Sequence, residues 1–306
     1  MSNKQAVKQL KSIIGFVPTF NEFLRFDSHQ SYQVDDILGI NVNAEELFWQ
    51  NTGKKLVFAN KDVVQMLGRA KFSAHADAKI LPPEGFETFA LCFERDTYIE
   101  AYGQKIRLYP CQITVLPAKA MAEKIHEPFH KLTGYQMQEN DELELAIIVS
   151  YKAKGATYRS CVDVSEAIRK VDTEGLPESA YLSDFYDQRL NSVEQMTINA
   201  LMKVALQLLI FNAATDNKYL SAGYPTDGKF KLPKNATRDD WTASHFSYKP
   251  MKPIDPAARI CPAHFRNLRH EKYYQGQFAH YTPKSRWTIV SEYFTGDNET
   301  YTQTKD

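Results

Sequence analysis

Cysteine and the short motifs of common catalytic sites are scarce in this chain of 306 residues. The four cysteines, Cys92, Cys111, Cys161 and Cys261, are widely spaced and form no CxxC pair. This spacing excludes a zinc ribbon and argues against a disulfide framework. Gly-rich phosphate loops, a GxSxG elbow and Asp-rich metal clusters are also missing from the sequence. We therefore predict no metal site and no cofactor.

Long apolar runs are absent as well. The first residues, MSNKQAVKQLKSIIGF, contain no apolar run long enough for a signal peptide. The longest apolar stretch, from Leu201 to Phe211, is interrupted by Lys203 and Gln207, which argues against a membrane span. We expect a cytoplasmic protein that has no membrane partner.

Net charge is also absent, because 37 basic residues balance 37 acidic ones. The balance hides an asymmetry along the chain. The segment from Lys229 to Arg286 holds twelve Lys or Arg against four Asp or Glu, a net charge of +8. A basic segment attached to an acidic remainder is typical of proteins that contact a polyanion. A basic surface that pairs with the acidic part of the same chain is the alternative.

Apolar periodicity predicts helices over residues 5–25, 44–50, 60–69 and 193–212, with a helix or long insertion over 118–136. β-branched and aromatic runs at residues 87–93, 96–102, 111–116, 143–151 and 157–164 predict a central antiparallel sheet. The helix over 193–212 is apolar on most of its surface and should be buried in the core. The fold class we predict is α+β, with a helical N-terminus and a small, basic, β-rich C-terminal module.

The predicted organisation has three parts. Residues 1–221 form the α+β domain, which could bind a peptide. Residues 222–257, rich in Pro, Gly, Thr, Asp and Lys, are predicted to be an extended linker. Residues 258–306 form the basic module.

One short motif superficially matches a zinc site. His126-Glu-Pro-Phe-His130 has the spacing of the HExxH metalloprotease motif. Pro128 stands in its middle and predicts a broken helix, so we assign no zinc site to it.

Residues 261–276 and 283–290 interleave cations, histidines and aromatic rings. Lys and Arg can bind phosphates and rings can stack on exposed bases, so this pattern favours contact with single-stranded RNA. A protein-binding surface is the main alternative, because Arg and Tyr are also enriched at protein interfaces. The candidate RNA-binding or partner-binding residues are His264, Arg266, Arg269, His270, Lys272, Tyr273, Tyr274, Arg286 and Trp287.

His264 and His270 are also the candidate catalytic residues. Two imidazoles could supply a general acid and a general base for RNA cleavage, with Arg266 or Arg269 steadying the phosphate. Structural histidines are the commoner outcome, so we expect the chain not to be an enzyme. A metal site formed by Cys261, His264 and His270 fits no usual zinc spacing.

By its pattern over most of the chain, the sequence resembles a family of anti-CRISPR proteins, encoded by phages and other mobile elements, directed against the type V-A effector nuclease. The segment Leu81-Pro-Pro-Glu-Gly-Phe-Glu-Thr-Phe-Ala-Leu and the apolar helix over 193–212 share in the resemblance, and the tail is its most specific part. The matching residues are Pro262-Ala-His264-Phe-Arg266, then His270, Arg286-Trp287-Thr-Ile-Val and Tyr293-Phe-Thr-Gly296. The Arg-Arg-Gly of the family pattern is replaced by Arg266-Asn-Leu-Arg269, which is one residue longer.

That resemblance implies a function. Such a protein recognises the nascent N-terminal polypeptide of the CRISPR effector and promotes loss of its mRNA during translation, in the cytoplasm of the bacterial host. By this resemblance the partners are the nascent polypeptide together with RNA, the ribosome or a host nuclease. A nuclease that uses His264 and His270, and a stoichiometric protein-binding inhibitor, are the alternatives.

Overall fold

The structure is a computed structural model that describes residues 37–72, 85–94, 96–101, 103–134, 136–137, 143–153, 156–168, 192–225, 242–250 and 259–295. The helix predicted over residues 5–25 lies outside the described residues. The α+β fold class, with a buried long helix, is confirmed.

The helices of the described part include α1 (Ile37–Asn51), α2 (Lys61–Arg69), α3 (Ala118–Met121), α4 (Glu127–Thr133) and α5 (Ser192–Ala214), and residues 164–168 are also helical. The strands are β1 (Leu56–Ala59), β2 (Lys71–Phe72), β3 (Thr88–Phe93), β4 (Tyr98–Ala101), β5 (Gln104–Arg107), β6 (Cys111–Leu116), β7 (Ala146–Ala153), β8 (Ala156–Asp163), β9 (Leu220–Ala222), β10 (Ala243–Phe246), β11 (Arg259–Cys261), β12 (His264–Asn267), β13 (Trp287–Val290) and β14 (Tyr293–Thr295).

Seven of these strands form the main sheet in the order β8-β7-β6-β3-β1-β10-β9. The sheet is antiparallel at its outer pairs, as predicted, but β1 pairs in parallel with both β3 and β10. All four residues of β1 are buried, as is typical of a parallel strand that is covered on both faces. The strand is short and uniformly apolar, and its sequence carries no alternation that would have predicted it.

Helix α5 packs on one face of this sheet, against β7 and β8, and also contacts α2 and β13. Because it is covered from several sides, it can be apolar around most of its circumference. The segment Val193–Ala214 is long and apolar enough to cross a membrane, and 89% of its most apolar window is buried within the fold. Burial in this core accounts for its composition.

Two polar side chains on α5 are buried with their hydrogen bonds directed at the end of α2. Lys203 Nζ donates to the carbonyl oxygen of Gly68 at 2.9 Å, and Gln207 Nε2 donates to that of Ala70 at 3.0 Å. The last carbonyls of a helix have no partner within the helix. Lys203 and Gln207 satisfy two carbonyls at this point, which lets α2 end inside the protein.

Helix α1 covers the opposite face of the sheet, where Ala44, Leu47 and Phe48 pack against residues from β6, β7 and β8. A buried ion pair lies in this layer. Glu45 Oε1 accepts hydrogen bonds from Arg159 Nε at 2.8 Å and Nη2 at 2.7 Å, and both side chains are less than a tenth exposed. Ser150 Oγ donates to the other oxygen of Glu45 at 3.3 Å.

The C-terminal strands are joined to the rest of the fold. Strand β12 pairs with β13 and also, in parallel, with β2. Phe265 and Trp287 belong to the same apolar core as α5. Residues 243–246, which fall within the predicted linker, form β10 beside β1, so this part of the chain is built into the sheet instead of extending away from it. Whether the C-terminal module folds independently stays a prediction.

Pro128 does not interrupt the helical segment in which it lies, contrary to the prediction. A π-helical turn over Ala122–His126 precedes it, and the Glu127 N–H donates to the carbonyl of Ala122, five residues back. Pro128 then occupies the first turn of α4. Backbone N–H groups in a first turn have no partner within the helix, so the N–H that proline lacks costs no hydrogen bond there. His126 and His130 therefore do lie on one helical segment. No group of three potential metal ligands occurs in the described part of the chain.

The buried ion pair gives a stability prediction. Replacing Arg159 by Leu leaves the Glu45 carboxylate buried without its cation, and we expect a loss of about 3–5 kcal/mol in the free energy of unfolding by urea. The double variant Glu45→Leu, Arg159→Leu removes both charges and should recover at least half of that loss. A double variant no more stable than Arg159→Leu would show that the pairing is not what stabilises this layer.

Lys203 gives a pH prediction. Burial lowers its pKa from 10.5 to about 8. Between these values the unfolded chain holds a proton that the folded chain has released, so raising the pH through this window favours the folded state. We expect the free energy of unfolding of the natural chain, measured relative to Lys203→Met, to rise by up to about 3 kcal/mol across the window. Parallel pH profiles for the two proteins would contradict this.

Candidate nucleic-acid interface

The nine predicted binding residues come together in one part of the structure, around the hairpin of β12 and β13. His264 and Arg266 lie on β12, and Trp287 begins β13. The other six lie in the connection between the strands, residues 268–286, which contains two 3₁₀ turns, Glu271–Tyr274 and Gly276–Phe278. We call residues 268–286 the basic loop.

Trp287 is buried instead of being available to stack on a base. Its side chain is 6% exposed, and its ring meets the edge of Phe72 with the centroids 5.9 Å apart. Phe72 in turn packs against Phe265 at 5.4 Å. These three rings pack the hairpin against β2 and the main core. Trp287 therefore supports the interface from inside the protein.

Arg286 is half-buried and organises the basic loop from within. Its guanidinium carbon lies 3.8 Å from the centroid of the Phe278 ring and 5.0 Å from that of Tyr281. Its Nη1 donates to the carbonyl oxygen of Tyr273 at 3.0 Å. A planar cation between aromatic faces suits Arg better than Lys. Arg286 therefore holds the loop in shape.

Further hydrogen bonds fix the loop to the hairpin. The hydroxyl of Tyr274 donates to the carbonyl of Leu268 and accepts from the Arg286 N–H at 3.3 Å. The amide of Asn267 donates to the carbonyls of Lys284 and Arg286. Lys284 has a φ of 66°, in the left-handed region of backbone conformation. This conformation is unfavourable for a residue other than glycine and persists only where the surrounding structure holds it. The loop is thus ordered by its own side chains.

Basic and imidazole side chains lie on the outer side of this region. Arg266 on β12 is exposed, as are His270, Lys272, His280 and Lys284 in the basic loop. Lys272 lies over the Tyr273 ring with its Nζ 5.0 Å from the centroid, and the His280 ring lies 4.2 Å from that of Tyr281. His280 and Lys284 were not among the predicted binding residues. This arrangement offers phosphate-binding groups next to flat rings.

Arg269 differs from its neighbours. Its side chain is half-buried, and its Nη2 atom is buried without a hydrogen-bond partner in the described part of the chain. A buried guanidinium nitrogen that lacks an acceptor is costly.

The two candidate catalytic histidines lie on different elements. His264 begins β12 and His270 follows its end, and the three residue steps of the strand alone extend about 10 Å. The Nδ1 of His270 accepts a hydrogen bond from the Lys272 N–H at 3.2 Å. Among the described residues no hydrogen bond or ring contact joins the two imidazoles.

No protein-family model, curated protein or solved structure matches this chain. The resemblance of the tail to the anti-CRISPR family therefore rests on the residues of the tail itself and stays a prediction. The surface described above stands on its geometry, independently of that resemblance.

The position of Arg286 leads to a test of the loop. Lys in its place keeps the charge but loses the planar contacts with both rings, so we expect faster hydrogen exchange at the amides of residues 270–285 and unchanged exchange in α5. Arg266→Lys, at an exposed position, serves as the control and should leave the loop unchanged. Equal protection of the loop in both variants would mean that Arg286 does not organise it.

Proposed function

We propose that the chain is a mobile-element anti-defence protein that contacts RNA through the basic loop and lowers the expression of a CRISPR effector in the cytoplasm of its bacterial host. The observation that carries the RNA contact is the exposure of Arg266, His270, Lys272, His280 and Lys284, with Lys272 lying over the Tyr273 ring and His280 against Tyr281. Only one acidic residue, Glu271, lies within the basic loop.

Several features favour single-stranded RNA as the ligand of this surface. Cations bind a phosphate backbone, while adjacent rings can stack on bases that are not paired. The loop is already ordered by Arg286 and Tyr274, so binding does not have to order it, which reduces its entropic cost. No helix projects from the loop as a reader of a duplex groove would require.

The target of the function comes from the resemblance of the tail. By that resemblance, the chain recognises the N-terminal polypeptide of the type V-A effector nuclease as it is translated, and the mRNA is then lost. The separation of His264 and His270 favours recruitment of cleavage from elsewhere, by the ribosome or a host nuclease, over cleavage by this chain.

The test is co-expression with the effector gene, once with its start codon intact and once with it destroyed. We expect transcript loss only when the gene is translated. The double variant Lys272→Glu, Lys284→Glu should abolish the loss and weaken binding of the purified protein to a single-stranded RNA about tenfold, because two phosphate contacts are reversed. Lys119→Glu, a charge reversal at an exposed position on α3, should behave like the natural chain.

Two other outcomes would replace the proposal. Unchanged transcript together with a stable complex between the chain and the effector protein would identify a stoichiometric inhibitor. Cleavage of naked RNA by the pure protein, abolished by His264→Ala, would identify a nuclease.

A further inference from the structure

Strands β11 and β14 pair with each other as a two-stranded ribbon, which we call the ribbon. It continues the hairpin of β12 and β13 in the same register: Cys261 pairs with Tyr293 in the ribbon and His264 pairs with Val290 in the hairpin, three residue steps apart on both strands. The basic loop joins the other ends of β12 and β13. The ribbon and the basic loop therefore lie at opposite ends of one antiparallel ladder.

The fold leaves apolar side chains exposed on both faces of the ribbon. Ile260 and Phe294 are paired on one face, where Ile260 is 43% exposed and Phe294 is half-buried. Tyr293, on the other face, is 48% exposed. An isolated two-stranded ribbon is only marginally stable in water, and it becomes stable when it gains further strands and an apolar face that it can bury.

The base of the ribbon is fixed to the rest of the protein. Glu292, which immediately precedes β14, is only 3% exposed, and its Oε2 accepts a hydrogen bond from Arg69 Nη2 at 2.9 Å. Two residues after β11, the carbonyl of Ala263 accepts a hydrogen bond from the Lys71 N–H at 2.9 Å. Both strands are thus anchored at the same end, so a partner that binds the ribbon does not have to order its base.

The two outer edges of the ribbon differ in charge. Within the described part of the chain no third strand pairs with β11 or with β14. Strand β11 carries Arg259, and charged side chains on an edge strand discourage pairing with another chain. Strand β14, Tyr293-Phe-Thr295, contains neither a charge nor a proline. The edge of β14 is therefore the one that can accept a further strand.

A second copy of β14 suits this edge. Two copies related by a twofold axis pair their edge strands antiparallel, with opposite side chains on the same face. When the axis passes through Phe294, all three residues of the strand are paired, because Tyr293 then lies opposite Thr295 of the other copy. The two Phe294 rings lie opposite each other, and no like charges meet, since β14 is uncharged.

We propose that the chain forms a twofold-symmetric dimer in which β14 pairs antiparallel with β14 of a second copy. The ribbon then becomes part of a four-stranded sheet in the order β11-β14-β14-β11. One face of that sheet carries Ile260 and Phe294 from both copies, which supplies the continuous apolar face that a single ribbon lacks. The interface lies at the end of the hairpin away from the basic loop, so it leaves both loops of the dimer uncovered.

The first test measures the mass of the purified full-length chain by sedimentation equilibrium over a dilution series. We expect the natural chain to reach twice the mass of one chain. Phe294→Lys places two ammonium groups together at the twofold axis, so we expect the dissociation constant to rise by at least about tenfold. Leu132→Lys, which replaces an apolar residue of α4 that is 51% exposed, is the matched control and should dimerise like the natural chain.

The second test is disulfide crosslinking in a Cys261→Ser chain, whose other cysteines are buried. Phe294→Cys in this chain should form a covalent dimer on oxidation, because opposite residues of an antiparallel pair have Cβ atoms about 4.5–5.5 Å apart. Ile260→Cys in the same chain should not, because three strand spacings of about 4.8 Å separate the two copies of β11, which is beyond the reach of a disulfide.

A natural chain that stays monomeric over the whole series would overturn the proposal. Crosslinking through Ile260→Cys in place of Phe294→Cys would overturn it as well, and would identify β11 as the paired edge. A dimer that persists in Phe294→Lys and gives no crosslink with Phe294→Cys would place the interface elsewhere on the protein, against the proposal. All of these results are independent of whether the basic loop binds RNA.

Discussion

Lys203 and Gln207 stand one turn apart on the buried helix α5, and both donate hydrogen bonds to carbonyls at the end of α2. Without them these carbonyls would be buried and unsatisfied, at a cost of about 1–3 kcal/mol each. With them, α2 ends inside the protein and the chain passes at once through Ala70 into β2. Strand β2 pairs with β12, so this junction also fixes where the C-terminal hairpin docks.

The C-terminal hairpin depends on this junction. Arg69, the last residue of α2, bonds to Glu292 beyond β13. Phe72, in β2, packs against Phe265 and Trp287 below the basic loop. Helix α5 also contacts β12 and β13, so the hairpin is held both by the junction of α2 and β2 and by the buried helix.

The sequence was informative wherever local pattern determines structure. The helices α2 and α5 follow from apolar periodicity, and strands such as β6 and β7 follow from runs of β-branched residues. Strand β10, whose sequence is Ala-Ser-His-Phe, lacks such a run and exists because β1 and β9 lie on either side of it. Such strands form because they pair with segments that are distant in the sequence, and a local sequence pattern does not contain that information.

The same limit applied to the candidate site. Residue types indicated which segment is basic and aromatic, but not which side chains face solvent. Trp287 packs inward because β2 offers Phe72 as a partner, and Arg286 is half-buried because the loop brings the rings of Phe278 and Tyr281 against its guanidinium. Lys284 and His280, which were less prominent in the sequence, take the exposed positions. The Pro128 prediction failed for a related reason, since a preceding π-turn is not visible in composition.

Charge is distributed unevenly along the chain, in a way that bears on where a polyanion binds. The basic loop carries cations with a single acid among them, which suits a ligand charged at every residue. Because the chain has zero net charge, the +8 of the segment from Lys229 to Arg286 requires an equal excess of acidic residues in the rest of the chain. Specificity is a difference between affinities, and repulsive groups contribute to it as much as attractive ones. The acidic remainder repels a polyanion while the basic segment attracts it, so the segregation of charge itself directs such a ligand to the basic loop.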